Sequence, residues 1–557
     1  MTTTDTEDAF PVLTEAQLAR LRSYGEPYEV AAGDVLTRAG DASYDFILVD
    51  SGEVEVMSTA TAESDEAVVV AHGAGRFIGE LNLLTGQKAY LTARVSQPGL
   101  VHRISPAQFR RLMDSDPELS DLILRALLAR RAVLRDSPAA RSLEILGSDM
   151  SAASLALRTY AARQQLPHTW IEADTPEGVT LAESIGAGPG DLPAVVTPDT
   201  VLLRATPGMM AQALGLSYRP GAADTVDLVV VGGGPAGLAA AVYGASEGLD
   251  TLLLDAVAAG GQAAASSRIE NYLGFTSGIS GADLTGRAAV QAQKFGARIA
   301  SPCRVARLET GGEHLRVVLS DGTDISARSI VIATGARYRA LPLARWADFE
   351  GAGIYYAATE LEARACGASP VAVVGGANSA GQAALYLAGR GSSVTLVVRG
   401  PDLMAGMSAY LADRILAHPR VHVRVGAEVT GLHGTDHLDT ITVTDRATGT
   451  TNEQSCQGLF CFIGAVPATD WLTDVTVDDH GFILTDARLT EAVPDLVDAH
   501  PVWVALGRPL QPFETSQPGV FAAGDVRAGS MKRVAAAVGE GASAIRSVHV
   551  ALGSAVT

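Results

Sequence analysis

The chain has 557 residues, a formal net charge of -20 and a pI near 5.0, with hydrophobic residues at 47%. That length implies several domains with ample core, and the acidic balance lacks the basic footprint of a nucleic-acid binder. Four cysteines (Cys303, Cys366, Cys456 and Cys461), none spaced Cys-x-x-Cys, argue against a disulfide scaffold and fit a reducing cytoplasm. The start, Met1-Thr2-Thr3-Thr4-Asp5, is polar and acidic. No basic stretch followed by an apolar one is found there, so no secretory signal is expected. Leu228 to Ala245 is uncharged over 18 residues, the length of a marginal membrane span. Gly232-Gly233-Gly234-Pro235 interrupts it, so a strand, a turn and a helix are expected instead of a span.

In chain order, a short helix is predicted over Thr14 to Ser23. Strand-like runs then alternate with turn signals at Gly33-Asp34, Gly40-Asp41 and Asp50-Ser51-Gly52, the last just after Phe46-Ile47-Leu48-Val49. Short strands between such turns predict a small β-barrel or roll. Pro106 to Leu134 turns helical in period. With Phe77-Ile78-Gly79-Glu80-Leu81-Asn82-Leu83-Leu84, residues 1-140 resemble a cyclic-nucleotide-binding domain. The resemblance implies a nucleotide held by Gly79 and by Glu80, which would accept from the ribose hydroxyl. The family's phosphate-binding Arg falls on Ala89; the adjacent Lys88 lacks the planar fork that phosphate recognition favours. A docking or dimerisation module is the alternative.

Residues 141-220 read as a strand (Ser142 to Gly147), a helix (Ala152 to Gln165), a strand (Thr169 to Glu172), a hairpin from Leu192-Pro193-Ala194-Val195-Val196, and a helix (Pro207 to Leu216). That order resembles a glutaredoxin or thioredoxin fold, with Pro193 at the family's cis-proline. Its redox pair would sit at Ser148-Asp149-Met150-Ser151, where no cysteine stands. A spacer or docking module is expected.

Ala222-Ala223-Asp224 reads as a linker into the third unit. Val226 to Val231 is an apolar strand apart from Asp227, followed by Gly232-x-Gly234-x-x-Gly237, a helix over Leu238 to Gly248, and a strand Thr251 to Leu254 ending at Asp255. Here Gly232 allows the tight turn, Gly234 the approach of a pyrophosphate, and Gly237 close helix-strand packing. The helix N-terminus, with Pro235 and Ala236, meets the phosphates, and Asp255 suits an adenosine ribose hydroxyl. The fingerprint repeats at Gly375-Gly376-Ala377-Asn378-Ser379-Ala380-Gly381, behind the strand Val371 to Val374. The next strand, Ser393 to Val398, ends at Arg399 instead of an acid. Arg there favours the 2'-phosphate of NADPH, with NADH the alternative, while Ala377 adds a methyl where the pyrophosphate approaches.

This third unit resembles the low-molecular-weight thioredoxin reductases. Gly260-Gly261-Gln262 with Glu270-Asn271-Tyr272, then Ala333-Thr334-Gly335, match its flavin-contact segments, and Gly519 to Asp525 matches the one whose Asp holds the ribityl chain. Lys532-Arg533-Val534-Ala535 resembles the stretch that reaches the isoalloxazine ring, with Val534 in place of a common Gln. The resemblance implies FAD and NADPH as cofactors and a homodimer. The expected architecture is multidomain: a β-roll cyclic-nucleotide-binding-like domain (1-140), an α/β thioredoxin-like domain (141-220), and two Rossmann-like three-layer domains for FAD (221-338 and 465-557) and NADPH (339-464).

Where that family carries Cys-x-x-Cys, this chain has Ala357-Ala358-Thr359-Glu360, and Cys366 lies six residues past Glu360. Electrons are therefore expected to pass from flavin directly to an external acceptor: a quinone, oxygen, a ferredoxin-like protein or a bound disulfide. Glu360 is the candidate proton relay if buried at the flavin, against a solvated helix-start Glu. The rivals are a ferredoxin-NADP-reductase-like enzyme, a flavin-based redox or ligand sensor, and a thioredoxin reductase using other cysteines.

Overall fold

A computed structural model describes residues 8-58, 66-136, 143-197, 200-218, 225-266, 268-312 and 314-553. The linker Ala222-Ala223-Asp224, Ser142 and the boundary at residues 140 and 141 lie outside the described residues.

The first unit opens with α1 (Glu15–Arg22), where Thr14 and Gln17 cap each other reciprocally. Its strands are β1 (Glu26–Val30), β2 (Val35–Thr37), β3 (Phe46–Val49), β4 (Glu53–Met57), β5 (Val68–His72), β6 (Arg76–Ile78), β7 (Thr92–Gln97) and β8 (Gly99–Ile104). They form two antiparallel sheets, ordered β1-β8-β3-β6 and β2-β7-β4-β5, as a roll. Every residue of β3 is buried, and Phe46 stacks between Phe77 and Phe109. A short helix, α2 (Asn82–Thr85), follows Gly79-Glu80-Leu81. The single helical run expected from Pro106 onward is two helices, α3 (Pro106–Ser115) and α4 (Pro117–Asp136). Asp116, at φ -124 and ψ 90, breaks them, because the residue before a proline is pushed out of the helical region.

His72 is 2% exposed, and its pKa falls to about 3, first through burial and then through Arg130 and Arg76. Its folded pKa lies below the unfolded 6.5, so the unfolded chain takes the proton first as pH falls. Stability is thus lost below pH 6.5 and increasingly toward pH 3. His72→Leu is expected to flatten the acid-side fall of the urea midpoint over that window. An unchanged pH slope would refute the assignment.

The second unit contains β9 (Glu144–Gly147), α5 (Ala152–Arg163), β10 (Thr169–Glu172), α6 (Pro176–Ile185), β11 (Ala194–Val196), β12 (Val201–Leu202) and α7 (Pro207–Ala213). The sheet runs β10-β9-β11-β12, with β9 and β10 parallel and β11 antiparallel to β9. Leu192-Pro193 is cis. Helix α6, capped by Thr175, was not in the expected order, because its apolar face is short and its start is marked only by Thr-Pro.

The third unit builds a sheet from β13 (Thr225–Val231), β14 (Thr251–Leu254), β15 (Arg298–Ala300), β16 (Val305–Glu309), β17 (Leu315–Leu319) and β18 (Asp324–Ile332), in the order β15-β14-β13-β18-β17-β16. Helices α8 (Pro235–Ser246) and α9 (Gly281–Lys294) cover one face. Val290 of α9 joins the apolar core of the roll, so the first unit docks on this domain directly.

The chain crosses outward on β19 (Ala336–Tyr338) into β20 (Ile354–Tyr355), α10 (Glu360–Cys366), β21 (Val371–Val374), α11 (Asn378–Gly389), β22 (Val394–Val398), α12 (Ala409–Leu416), β23 (Val421–Val425), β24 (Ala427–His433), β25 (Thr440–Asp445), β26 (Thr451–Ser455) and β27 (Gly458–Cys461). A parallel sheet β20-β27-β21-β22-β23 and an antiparallel β24-β25-β26 result. The chain returns on β28 (Ala465–Pro467), antiparallel to β19, so this ribbon is the twin connection between the two nucleotide domains.

The final segment adds α13 (Asp486–Ala492), α14 (Leu496–Ala499) and α15 (Pro501–Leu506) around buried Trp503, three helices that were not among the expected elements. Then β29 (Val520–Ala522) joins β18 in parallel, and α16 (Val534–Ala551) packs on α8. That packing is close: a Cβ on Gly541 would stand 2.0 Å from the Ala236 carbonyl oxygen. Among the described residues no helix is long and apolar enough to cross a membrane, and no group of three or more His, Cys, Asp or Glu could hold a metal ion.

Candidate functional site

Strand β13 is buried between β14 and β18, and this fixes the turn at its end. Gly232 has φ +109, and a Cβ there would stand 2.4 Å from the Ala333 carbonyl oxygen. Only glycine allows that conformation and that approach. A Cβ on Gly237 would stand 1.8 Å from the Gly232 carbonyl oxygen, so helix and turn are in contact there. Gly234 differs: its nearest neighbour would be Gly261 Cα at 3.9 Å, leaving the turn open on the side where a pyrophosphate approaches. No side chain caps α8 at Gly234, so the first-turn amides of Ala236 and Gly237, behind Pro235, are free for an anion.

Asp255 fastens this loop. Its carboxylate accepts from the Gly233 N–H at 2.7 Å and the Val257 N–H at 2.8 Å, and its other lone pairs remain for a ribose hydroxyl. Gln262, on the loop opened by Gly260 and Gly261, donates to the Ala336 carbonyl at the start of the connecting ribbon. Gly335 has φ +66 and turns the chain from Ala333 into that ribbon. Asn271 is exposed on a loop pinned by the Ile269-Ile279 bridge.

At the other end, Gly524 has φ +77 and donates to Glu540 at 2.7 Å; Glu540 is also gripped by Arg527 at 2.8 and 3.2 Å. Burial raises the pKa of the adjacent Asp525, with Lys532 opposing the shift. Helix α16 starts uncapped at Arg533, so the amides at Val534 and Ala535 are open beside Asp525, as an anionic or carbonyl ligand edge requires. The residues present thus fit a flavin dinucleotide: a glycine turn open to phosphates, a ribose acceptor, and a second helix N-terminus at the far end.

In the second nucleotide domain, Gly375 has φ +146, and its Cβ would stand 2.4 Å from the Phe462 carbonyl oxygen. Ala377 is the N-cap of α11 in extended conformation, without a side-chain cap. Ala377, Asn378 and Ser379 are exposed while Ala380 is buried, so the methyl of Ala377 costs no internal contact. Asn378 accepts from the Ser408 N–H at 2.8 Å, tying α11 to the start of α12. Arg399 follows β22 and is exposed, at the place where a 2'-phosphate would be met.

Of the two readings of Glu360, the solvated helix-start acid is the one that matches its surroundings. It is not a desolvated acid: its side chain is 45% exposed and forms ion pairs with Arg364 and Arg390, while Tyr386 donates to it at 3.3 Å. Arg390 at the C-cap of α11 folds back to it, a partner that spacing does not reveal. Thr359 and Glu362 form a capping box at the same helix start. All four cysteines are buried and unpaired. Burial pushes Cys366, Cys456 and Cys461 up to about 12 and raises Cys303, so none is a thiolate at neutral pH.

One residue was missed in the sequence. Arg163, at the end of α5, lies where Asp255, Glu362 and Tyr338 act on it; burial lowers its pKa and these groups oppose the fall. The second unit therefore presents a guanidinium within electrostatic reach of the proposed ribose acceptor, without an ion pair to it. Nothing local in the sequence marks it, since the contact joins positions far apart in the chain.

Comparison with known proteins agrees with this geometry. The family described as pyridine nucleotide-disulphide oxidoreductase matches residues 226-541, and the cyclic nucleotide-binding domain matches residues 28-116. The chain is 33% identical to a thioredoxin reductase of Treponema pallidum over 320 residues, 57% of this chain and 94% of that protein. It is 32% identical to a thioredoxin reductase of Streptomyces clavuligerus over 323 residues, 58% of this chain and 92% of that protein. The solved thioredoxin reductase of T. acidophilum superposes with a TM-score of 0.50 at 28% identity, covering 60% of this chain and 100% of that one. With its glycine turns, ribose acceptor and open helix ends, the chain belongs to the pyridine nucleotide-disulphide oxidoreductase family, as a thioredoxin-reductase-like, FAD-dependent NAD(P)H oxidoreductase.

Proposed function

We propose that this oxidoreductase takes hydride from NADPH and delivers electrons from its flavin straight to an external acceptor, with no internal redox disulfide. The carrying observation is the start of α10, where Ala357 and Glu360 stand and Glu360 is tied to Arg390 and Arg364. The buried, high-pKa thiols elsewhere support the same reading. When bound, FAD supplies the ring that accepts hydride. The chain's own contribution is positional: the Gly232 turn and Asp255 hold one end, Asp525 and the α16 N-terminus the other, and the β19-β28 ribbon sets the nicotinamide domain against them.

The second unit supports this too. We read it as a thioredoxin-like module on its strand order β10-β9-β11-β12 and on its helix α5 behind the Ser148 to Ser151 turn. That helix lies against the nicotinamide domain: Leu155 packs on the core that holds Tyr355, Ala363 and Cys366, and a Cβ on Gly351 would stand 3.0 Å from Ala152 Cβ. Tyr160 and Gln164 then anchor it to Ser301 of the flavin domain at 3.1 and 2.6 Å. Neither the Ser148 to Ser151 turn nor the Ala357 to Glu360 start of α10, where dithiols would exchange electrons, holds a cysteine. The module is a docked structural element.

An anaerobic NADPH titration tests the reading. The oxidised-flavin band should bleach at one NADPH per flavin. Two equivalents would reveal a hidden dithiol and overturn it; no bleaching with NADPH or NADH would overturn the enzyme assignment itself. Arg399→Ala should raise the KM for NADPH about tenfold while leaving that for NADH nearly unchanged, since only the former loses a charged hydrogen bond. Equal changes for both dinucleotides would remove Arg399 from the 2'-phosphate site.

A further inference from the structure

A pocket of about 630 Å³, counted to its open mouth, lies in the first unit between the β2-β7-β4-β5 sheet and α4. This is the face where a cyclic nucleotide would sit, yet its chemistry is wrong for a phosphate. Its walls are mostly hydrocarbon, including Val56, Val70, Ile78, Leu91 and Leu134. Ala89, at the position of the phosphate-binding guanidinium, is 3% exposed, carries only a methyl and lines a neighbouring cavity instead of this one. The amides of Tyr90 and Leu91 at the same turn act on the carboxyl of Glu80 and hold its pKa down, so that carboxyl competes with any other anion for them. Burial pushes Glu80 up to about 7, and near neutral pH part of the population presents a carboxylate toward any incoming phosphate.

The arginine in the wall gives no help. Arg130 donates to the carbonyls of Ala9, Gly79 and Phe77 at 2.8, 3.1 and 3.1 Å, held between the rings of Phe10 and Phe77. Its nitrogens are already committed to the fold. Two other polar atoms are not. His72, 2% exposed, leaves Nδ1 without a hydrogen-bond partner, and Tyr44 leaves its buried Oη without one; both residues line the pocket. Buried polar atoms are nearly always satisfied, so a pair left open around one apolar space points to a missing ligand group.

We propose that this pocket binds a small uncharged molecule, aromatic or largely hydrocarbon, whose single polar group hydrogen-bonds His72 Nδ1 and Tyr44 Oη, and that it does not bind a cyclic nucleotide. Occupancy would be felt beyond the roll. Val56, Leu91 and Leu134 of the pocket wall belong to the same apolar cluster as Ile145, Leu157 and Tyr160 of the second unit.

Titration calorimetry on the full flavin-loaded chain tests this, using indole, benzyl alcohol, cAMP and cGMP as probes. At least one of the two neutral probes should bind saturably, one per chain, and neither cyclic nucleotide should. Tyr44→Phe, which removes only the hydroxyl, should weaken the neutral probe about tenfold. Ala93→Leu, which fills the pocket from β7, should abolish binding, with the flavin spectrum unchanged as a check on folding. Stoichiometric binding of cAMP or cGMP would overturn the proposal. So would failure of both neutral probes, or neutral-probe binding that survives Tyr44→Phe at full strength.

Discussion

Gly237→Ala is expected to give protein that purifies almost free of flavin. The added methyl carbon would stand 1.8 Å from the Gly232 carbonyl oxygen, 3.0 Å from its carbon and 3.3 Å from Val230. Two of these are backbone atoms of the turn and the third is the buried, β-branched side chain of Val230, so nothing flexible can yield. The helix cannot retreat either. Ala236, Leu238, Ala240 and Ala241 of α8 are buried, and on its other side Gly541 of α16 already touches Ala236. Overpacking of this kind costs about 1-3 kcal/mol or more, and the displaced group is the turn that faces the pyrophosphate. The flavin-to-protein absorbance ratio should fall about tenfold. Gly234→Ala is the informative control: its methyl enters open space near the ligand side, so that variant should fold normally and lose affinity only. Full flavin content in Gly237→Ala would show that helix and turn can separate without cost to the site.

What was legible in the sequence was what short-range sterics decide. A glycine at φ +109 followed by one touching its carbonyl must recur at fixed spacing, so the Gly232 turn and its repeat at Gly375 were readable, as were the strands that feed them. The fully buried β3 was likewise readable from Phe46-Ile47-Leu48-Val49 between turns. The run from Pro106 has the period of one helix, although Pro117 carries the signal for the break in its own backbone chemistry. What escaped depended on distant partners. Glu360 could be read as a relay if buried or as a solvated helix-start acid, and its ion pair with Arg390, 30 residues on, was not legible in either case. Arg163 reaches the neighbourhood of Asp255 only because α5 docks on two other domains. Helices α13 to α15 are short and have mixed polar faces, so neither period nor length announces them.

Glu514→Ala is expected to be the most damaging single change outside the glycine turns, and it connects those unannounced helices to the site. Glu514 is 0% exposed and takes both Arg508 nitrogens, at 2.6 and 2.8 Å. It also accepts the N–H groups of Gln511 and Gly519 at 2.9 and 2.8 Å. Removing it leaves two amides unpaired and the Arg508 guanidinium, 20% exposed, with only the Pro509 carbonyl, and since breaking a buried pair from one side costs about 3-5 kcal/mol, the low end applies. The loss is also local in its effect. Gly519 leads into β29, which pairs with β18 and runs directly into Gly524 and Asp525. Trp503 of α15, whose indole donates to Ser516 at 3.0 Å and lies under Arg508, would lose its packing at the same time. Flavin should therefore be released at a lower temperature than in the unaltered chain, ahead of loss of the nicotinamide domain. The paired change Arg508→Met with Glu514→Leu should recover part of the lost stability, because no charge is then left buried alone. If Glu514→Ala unfolds and releases flavin at the same temperature as the unaltered chain, the ion pair does not hold the clamp, and the C-terminal helices are an appendage to the flavin domain instead of its brace.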